Sequence, residues 1–207
     1  MEKFKANDNK NEEHEINYRQ FNKKLELLNQ ILSLISDINQ ASDEKEVKDC
    51  IPALLQYIGE YTDADRVYIF ELISEKQDYY SNTFEWCREG IIPQIDNLIR
   101  ISAGSMPVWH EKFFCGETII IHDLEKIRET MPSEYDILKV QDIHSLLALP
   151  LFANTQLSGF IGLDNPDLAN PGVSISLLSN VGGHLASTLN NLRMFRMLEE
   201  KQKTLES

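Results

Sequence analysis

Cysteine is scarce in this 207-residue chain, which has only Cys50, Cys87 and Cys115, with no two in CxxC spacing. That excludes a disulfide framework and gives no zinc signature, so the thiols read as reduced. Basic residues are scarce too, with 20 Lys and Arg against 33 Asp and Glu and a formal charge of −13. Residues 51–190 alone hold 19 acidic and 8 basic side chains, so a nucleic-acid backbone is repelled and no nucleic-acid partner is expected. No run approaches the roughly 18 consecutive apolar residues of a membrane span, and the start MEKFKANDNK has no apolar signal-peptide core. No membrane insertion is expected, and the cytoplasm is the expected compartment. Catalytic signatures are missing as well: there is no Walker-type glycine loop, no GxSxG, no HExxH and no paired-carboxylate motif. The expectation is a protein without catalytic activity of its own.

What is present is an ordinary globular balance, 42 % apolar and 26 % charged, on a length that suits one domain with attachments. Residues 1–20 are polar and are expected as a frayed, flexible lead-in. From Phe21 the apolar residues step by four and three through Leu25, Leu28, Leu32 and Ile35, a heptad-like seam on a helix over 21–41. A second helix opens near Ser42-Asp43, where Asp43 and Glu46 form an acidic capping box; Val47, Ile51, Leu54, Leu55 and Ile58 are its buried stripe and Pro52 predicts a kink.

Five strands are expected. Residues 66–72 read as a central strand with large groups on both faces; 79–87 alternate, with Tyr80, Asn82, Phe84 and Trp86 on one face. The others are 117–122, 144–152 and 157–164, the last two joined at Ala153-Asn154-Thr155-Gln156, where Asn154 can take a positive φ. Residues 88–143 are too long for a plain connection and are expected to cover one sheet face, with short helical patterns at 95–99 and 133–140. After a turn at Asn170-Pro171-Gly172, Ser174 is a candidate N-cap for a long helix carrying Leu178, Val181, Leu185, Leu189, Leu192 and Phe195. Its length outruns a small domain, so 191–207 are expected to project. The apolar residues they carry need cover, which the seam from Phe21 to Ile35 or the same helices of a second copy supply.

Several residues have a bland reading beside a functional one. Phe84, Trp86, Trp109, Phe113, Phe114 and His144 either line an apolar pocket with a polar handle or fill the gap between insert and sheet. His144 is either a structural residue at a strand start or a ligand or pH-responsive group. Asp123, Asp142 and Asp164, at strand ends, read as acceptors for turn N–H groups, with ligand recognition as the alternative. Cys115 is the candidate redox thiol, against an inert one. Gly182-Gly183 marks close packing on the sheet or a hinge.

The order of elements and four strings resemble the GAF domain over about residues 42–190. They are ADRVYIF (64–70), GETIIIHD (116–123), IHSLLALPL (143–151) and LSGFIGLDNP (157–166). Together they look like the bacterial subgroup found ahead of diguanylate cyclase or histidine kinase output domains. The resemblance implies an α+β fold: an antiparallel β-sheet with helices on one face, a loop and helix insert over the other, and long N- and C-terminal helices flanking both. It implies that the first and last strands are neighbours at the sheet centre. It further implies a homodimer, an unidentified small-molecule effector in the pocket, and an output domain in cis of the diguanylate cyclase or histidine kinase type. Departures from other branches are plain. The Asn, Lys, Phe, Asp, Glu pattern of cyclic-nucleotide-binding members and a bilin-attachment cysteine context are not evident, and Cys50 precedes the sheet, unlike the pocket-loop cysteines of the branch that reduces methionine sulfoxide. No cofactor is assigned by the sequence. The alternatives to sensing are a constitutive dimerisation module and a thiol-dependent reductase.

Overall fold

The computed structural model describes residues 2–74 and 78–205. Helix α1 (Glu2–Gln40) leads into α2 (Glu44–Thr62), and a six-stranded antiparallel sheet follows: β1 (Arg66–Ser74), β2 (Asp78–Cys87), β3 (Ile101–Ser102), β4 (Ile119–Ile121), β5 (Leu146–Ala153) and β6 (Gln156–Asp164). Its order is β3-β2-β1-β6-β5-β4, which places the first and last long strands side by side at the centre. Helices α3 (Pro107–Phe114) and α4 (Pro132–Lys139) lie in the segment between β2 and β5, and α5 (Pro171–Leu205) closes the chain. The α+β class with two long terminal helices is as the pattern implies.

Local chemistry accounts for most boundaries. Asp43 caps α2 by accepting from Lys45 N and Glu46 N, and Glu46 reaches back to Ser42 N at 2.7 Å. The helix continues through Pro52 to a left-handed Asp63. Asn154 and Thr155 both take positive φ, 48° and 69°, in the two-residue turn between β5 and β6, a mirror-image turn that matches strand twist.

Residues 2–20, which hold no Gly or Pro, belong to α1. Three further features differ from expectation. Helix α5 starts at Pro171 rather than at a Ser174 cap, because proline is pre-set for the first helical turn. Residues 95–99 form turns, not a helix. The short β3 was not anticipated, since two residues carry no periodicity.

The sheet separates two cores. On one face α1, α2 and α5 bury an aliphatic cluster including Ile31, Val47, Ile58, Val67, Leu147, Ile161 and Leu178. On the other, the insert with α3 and α4 covers an aromatic cluster around Tyr68, Phe70, Tyr80, Trp109, Phe113 and Phe160. Gly182 faces the sheet, where an added Cβ would lie 2.4 Å from Leu151 Cδ2, whereas Gly183 has open space. Close packing is therefore the role of Gly182.

The terminal helices leave the body at opposite poles. The Lys24 ammonium sits 5.7 Å over the Tyr61 ring near the end of α2, so α1 before Lys24 reaches past the pole where β1 begins. Helix α5 starts beside that pole and passes Ala153 and Ser158 of the β5–β6 turn region at Leu189 and Asn190, beyond which it runs past the other pole. Midway, His184 Nδ1 lies 3.2 Å from Asn39 Oδ1. The expected seam splits on α1: Leu27, Ile31, Ile35 and Ile38 are buried on the body, Leu28 is half-buried, and Tyr18, Phe21, Leu25 and Leu32 are exposed. On α5, Leu185 is buried and Leu192 packs on the aliphatic core, while Met194, Phe195, Met197 and Leu198 are exposed. Because the two exposed stripes lie toward opposite poles, the seam of the same chain does not cover Phe195.

Candidate functional site

The site grows from the centre of the sheet. Arg66 and Asp164 are directly paired residues of β1 and β6. Both are almost wholly buried, and Arg66 Nε stands 2.9 Å from Asp164 Oδ2. Tyr68, two residues along β1, donates its hydroxyl to Asp164 Oδ1 at 2.8 Å. It can lie across the neighbouring strand because its partner there is Gly162, where a Cβ would come within 2.2 Å of the ring. Burial pushes the Asp164 carboxyl up to about 6, against the downward pull of Arg66 and Tyr68. Burial and the adjacent carboxylate hold the Tyr68 phenol well above its ordinary value.

Arg66 also joins the sheet to its cover. Its guanidinium donates from Nη2 to Gln141 O at 3.0 Å and from Nη1 to Ile92 O at 3.5 Å. Within the cover, Glu134 of α4 accepts from Val108 N and Trp109 N at the start of α3, which ties the two helices together. Glu85 Oε2 accepts from Gln94 N and Ile95 N and pins the loop after β2. Four buried side-chain atoms on this side have no hydrogen-bond partner: Asn82 Oδ1, Trp109 Nε1, Glu134 Oε2 and Arg66 Nε, which meets Asp164 Oδ2 as a charge contact only.

Two spaces flank the Arg66–Asp164 pair. Inside lies an apolar cavity of about 30 Å³, lined by Phe70, Trp109, Ile137, Leu138 and Phe160, with Asp164 at its polar end. Outside lies a cleft of about 220 Å³ bordered by Arg66, Ile92, Val140 and Asn165. The inner cavity has room for one or two waters and for no organic ring.

Trp109 lines this cavity, and Phe113 packs in the same aromatic core without lining it. Phe84 and Trp86 do not join them. Pairing shifts at Ile69/Phe70, so Thr83 is an extra residue on β2; Tyr80 and Asn82 stay on the insert side while Phe84 and Trp86 turn to the helices. Trp86 rests on Gly59 of α2, where a Cβ would be 2.0 Å from its ring. Phe114 and Cys115, at the end of α3, face solvent. They fall there because α3 turns only Trp109 and Phe113, one turn apart, toward the sheet. His144 is exposed, 3.5 Å from Asp142, and shares with Asp123 a separate shallow cleft of about 200 Å³. Asp123 caps the turn after β4 by accepting from Glu125 N. Sequence reasoning read Asp164 as an acceptor for turn N–H groups, with ligand recognition as the alternative, and did not single out Arg66. The signal was there: a charged residue at the inner end of each of two strands expected to be neighbours.

The three cysteines lie on separate elements, and none lines the inner cavity; burial pushes Cys87 up to about 12. Among the described residues no group of His, Cys, Asp and Glu is placed to hold a metal ion, and no helix is long and apolar enough to cross a membrane.

Comparison with known proteins places these features in context. The GAF domain profile matches residues 46–187. The methanogenesis regulatory histidine kinase FilI of Methanothrix harundinacea is 31 % identical over 124 residues, which are 58 % of this chain and 14 % of that protein. The chain thus spans a small part of the relative it matches. Among solved structures, the GAF3 photoproduct state of Slr1393 from Synechocystis sp. PCC6803 superposes with a TM-score of 0.61 at 16 % identity, covering 73 % of this chain and 98 % of that one. The chromophore-binding domain of the R. palustris bacteriophytochrome RpBphP3 does so with a TM-score of 0.63 at 12 % identity, covering 83 % and 62 %. At such identities these likenesses speak to the fold.

Proposed function

The chain belongs to the GAF domain family, and on that premise we propose that it is a non-enzymatic sensory module whose insert-face cavity takes a small molecule. The change is passed through α1 and α5 of a homodimer to an output domain of the histidine kinase class. The observation that carries this reading is Arg66, one buried side chain that holds the carboxylate at the cavity's polar end and both loops of its cover. A ligand that displaces the cover must reorganise those contacts, and Arg66 sits on β1 beside the strand that feeds α5. The histidine kinase relative supports the output class, and the family supports regulation over catalysis. We place the sensor domain at 42–190 and the signalling helices on either side of it.

The dimer contact is the exposed stripe Tyr18, Phe21, Leu25 and Leu32 of α1 against its copy, with Phe195 and Leu198 of α5 forming a second seam at the other pole. Phe21→Glu with Leu25→Glu should give a monomer with an unchanged circular dichroism spectrum. A wild-type chain that is already monomeric at micromolar concentration in light scattering removes the dimer. For the ligand, melting temperature is followed against metabolite, cyclic-nucleotide and tetrapyrrole collections. Saturable stabilisation by one class supports sensing, and none by any compound removes it. The second reading, a constitutive dimerisation module, is favoured by one observation, the inner cavity of only about 30 Å³.

A further inference from the structure

We propose that the insert-face chamber binds an uncharged, flat molecule of one or two fused rings that carries an N–H donor beside a carbonyl acceptor, as a cyclic amide does. This rests on the sensory reading above and specifies its ligand.

Size comes first. The inner cavity of about 30 Å³ is too small for a single ring, since a benzene-sized guest needs roughly 150 Å³. The Arg66 guanidinium borders the outer cleft of about 220 Å³, pairs with Asp164 at the end of the inner cavity, and donates to Gln141, which lines both spaces. Withdrawal of Arg66 from Ile92 O and Gln141 O joins the two into room for one or two rings. The joined space remains below the roughly 300 to 1,000 Å³ of sites for larger ligands. Shape follows from the walls, where the Phe70 and Phe160 rings lie stacked at 4.6 Å and Trp109 meets Phe160 edge-on.

Polarity comes from two groups. The Trp109 indole N–H is buried without an acceptor, a deficit that a ligand carbonyl relieves. The Asp164 carboxylate takes one hydrogen bond from Tyr68 and a charge contact from Arg66, which leaves lone pairs for a ligand N–H. Arg66 and Asp164 balance each other, so a net charge on the ligand would have no counter-ion in the chamber.

The chain has two tryptophans, and Trp86→Phe on the helix side leaves Trp109 as the sole indole reporter. With that variant, quinolinone, N-methylquinolinone, naphthalene and naphthoate are titrated while Trp109 emission and melting temperature are followed. Quinolinone should bind saturably and about tenfold tighter than N-methylquinolinone, which lacks the donor, and than naphthalene, which lacks both polar groups. Equal binding of the three uncharged probes, or preference for naphthoate, overturns the proposal. So does quinolinone failing where a different class in the wider collections stabilises the protein, an outcome that leaves sensing intact. Silence from every compound removes both.

Discussion

The two faces of one sheet are built from different chemistry. The helix side is aliphatic and closed by three helices whose side chains interlock with it, as Gly182 against Leu151 and Gly59 against Trp86 show. The insert side is aromatic, holds the buried Arg66, Asp164, Asn82 and Glu134, and leaves polar atoms unpartnered. Dispersion and burial alone sustain the first arrangement. The second carries costs that folding does not require, and such costs persist where a site has a use for them. One face holds the molecule together and the other is available to respond.

The largest effect should come from the aliphatic side. Leu147→Ala, at a fully buried position, should cost about 3 kcal/mol in urea unfolding. A loss under 1 kcal/mol would mean that this face is as yielding as the other.

The pH profile sharpens the contrast on the aromatic side. The Asp164 carboxyl is held at about 6 in the fold, above its ordinary 3.8. The folded protein therefore binds the extra proton, and the stability tied to this group is full below about pH 4. It falls as pH rises to 6 and is lost above that, by about 3 kcal/mol in all for two pKa units. Asp164→Asn should flatten that stretch of a pH series of unfolding free energies, and an unchanged slope would place the titration elsewhere.

Gly162→Ala should cost about 2 kcal/mol by driving Tyr68 off Asp164. The readout is a steeper pH dependence, because the carboxyl loses the downward pull of Tyr68, along with a lower midpoint stability. A midpoint loss with the pH profile intact would separate Tyr68 from the carboxylate. Smallest is a pair on α5: Gly183→Ala should stabilise by about 0.5 to 1 kcal/mol, while Gly182→Ala destabilises against Leu151. Equal signs in thermal melts would show that α5 does not bear on the sheet as described.

Much of this was legible beforehand, because the strands and helices have strong periods. Residues 66–72 and the hairpin around Asn154 announce themselves by β-branched runs and a turn residue suited to positive φ. The family resemblance carried strand order. The pocket was less legible, and Thr83 shows why: one extra residue reverses which side Phe84 and Trp86 face, and nothing in the alternation of 79–87 signals it. Asp164 was misread for a related reason. Its burial depends on Arg66, 98 positions earlier, and on a glycine that lets Tyr68 across.

The entry of α1 at one pole and the departure of α5 at the other make the domain a through-going strut rather than a side branch. Domains threaded on such struts would share one axle, their angular phase set by how many residues separate them. Seven added residues between neighbours would nearly restore that phase, whereas four would turn the downstream unit by about 40°. Rotation, more than distance, is the quantity such an axle delivers.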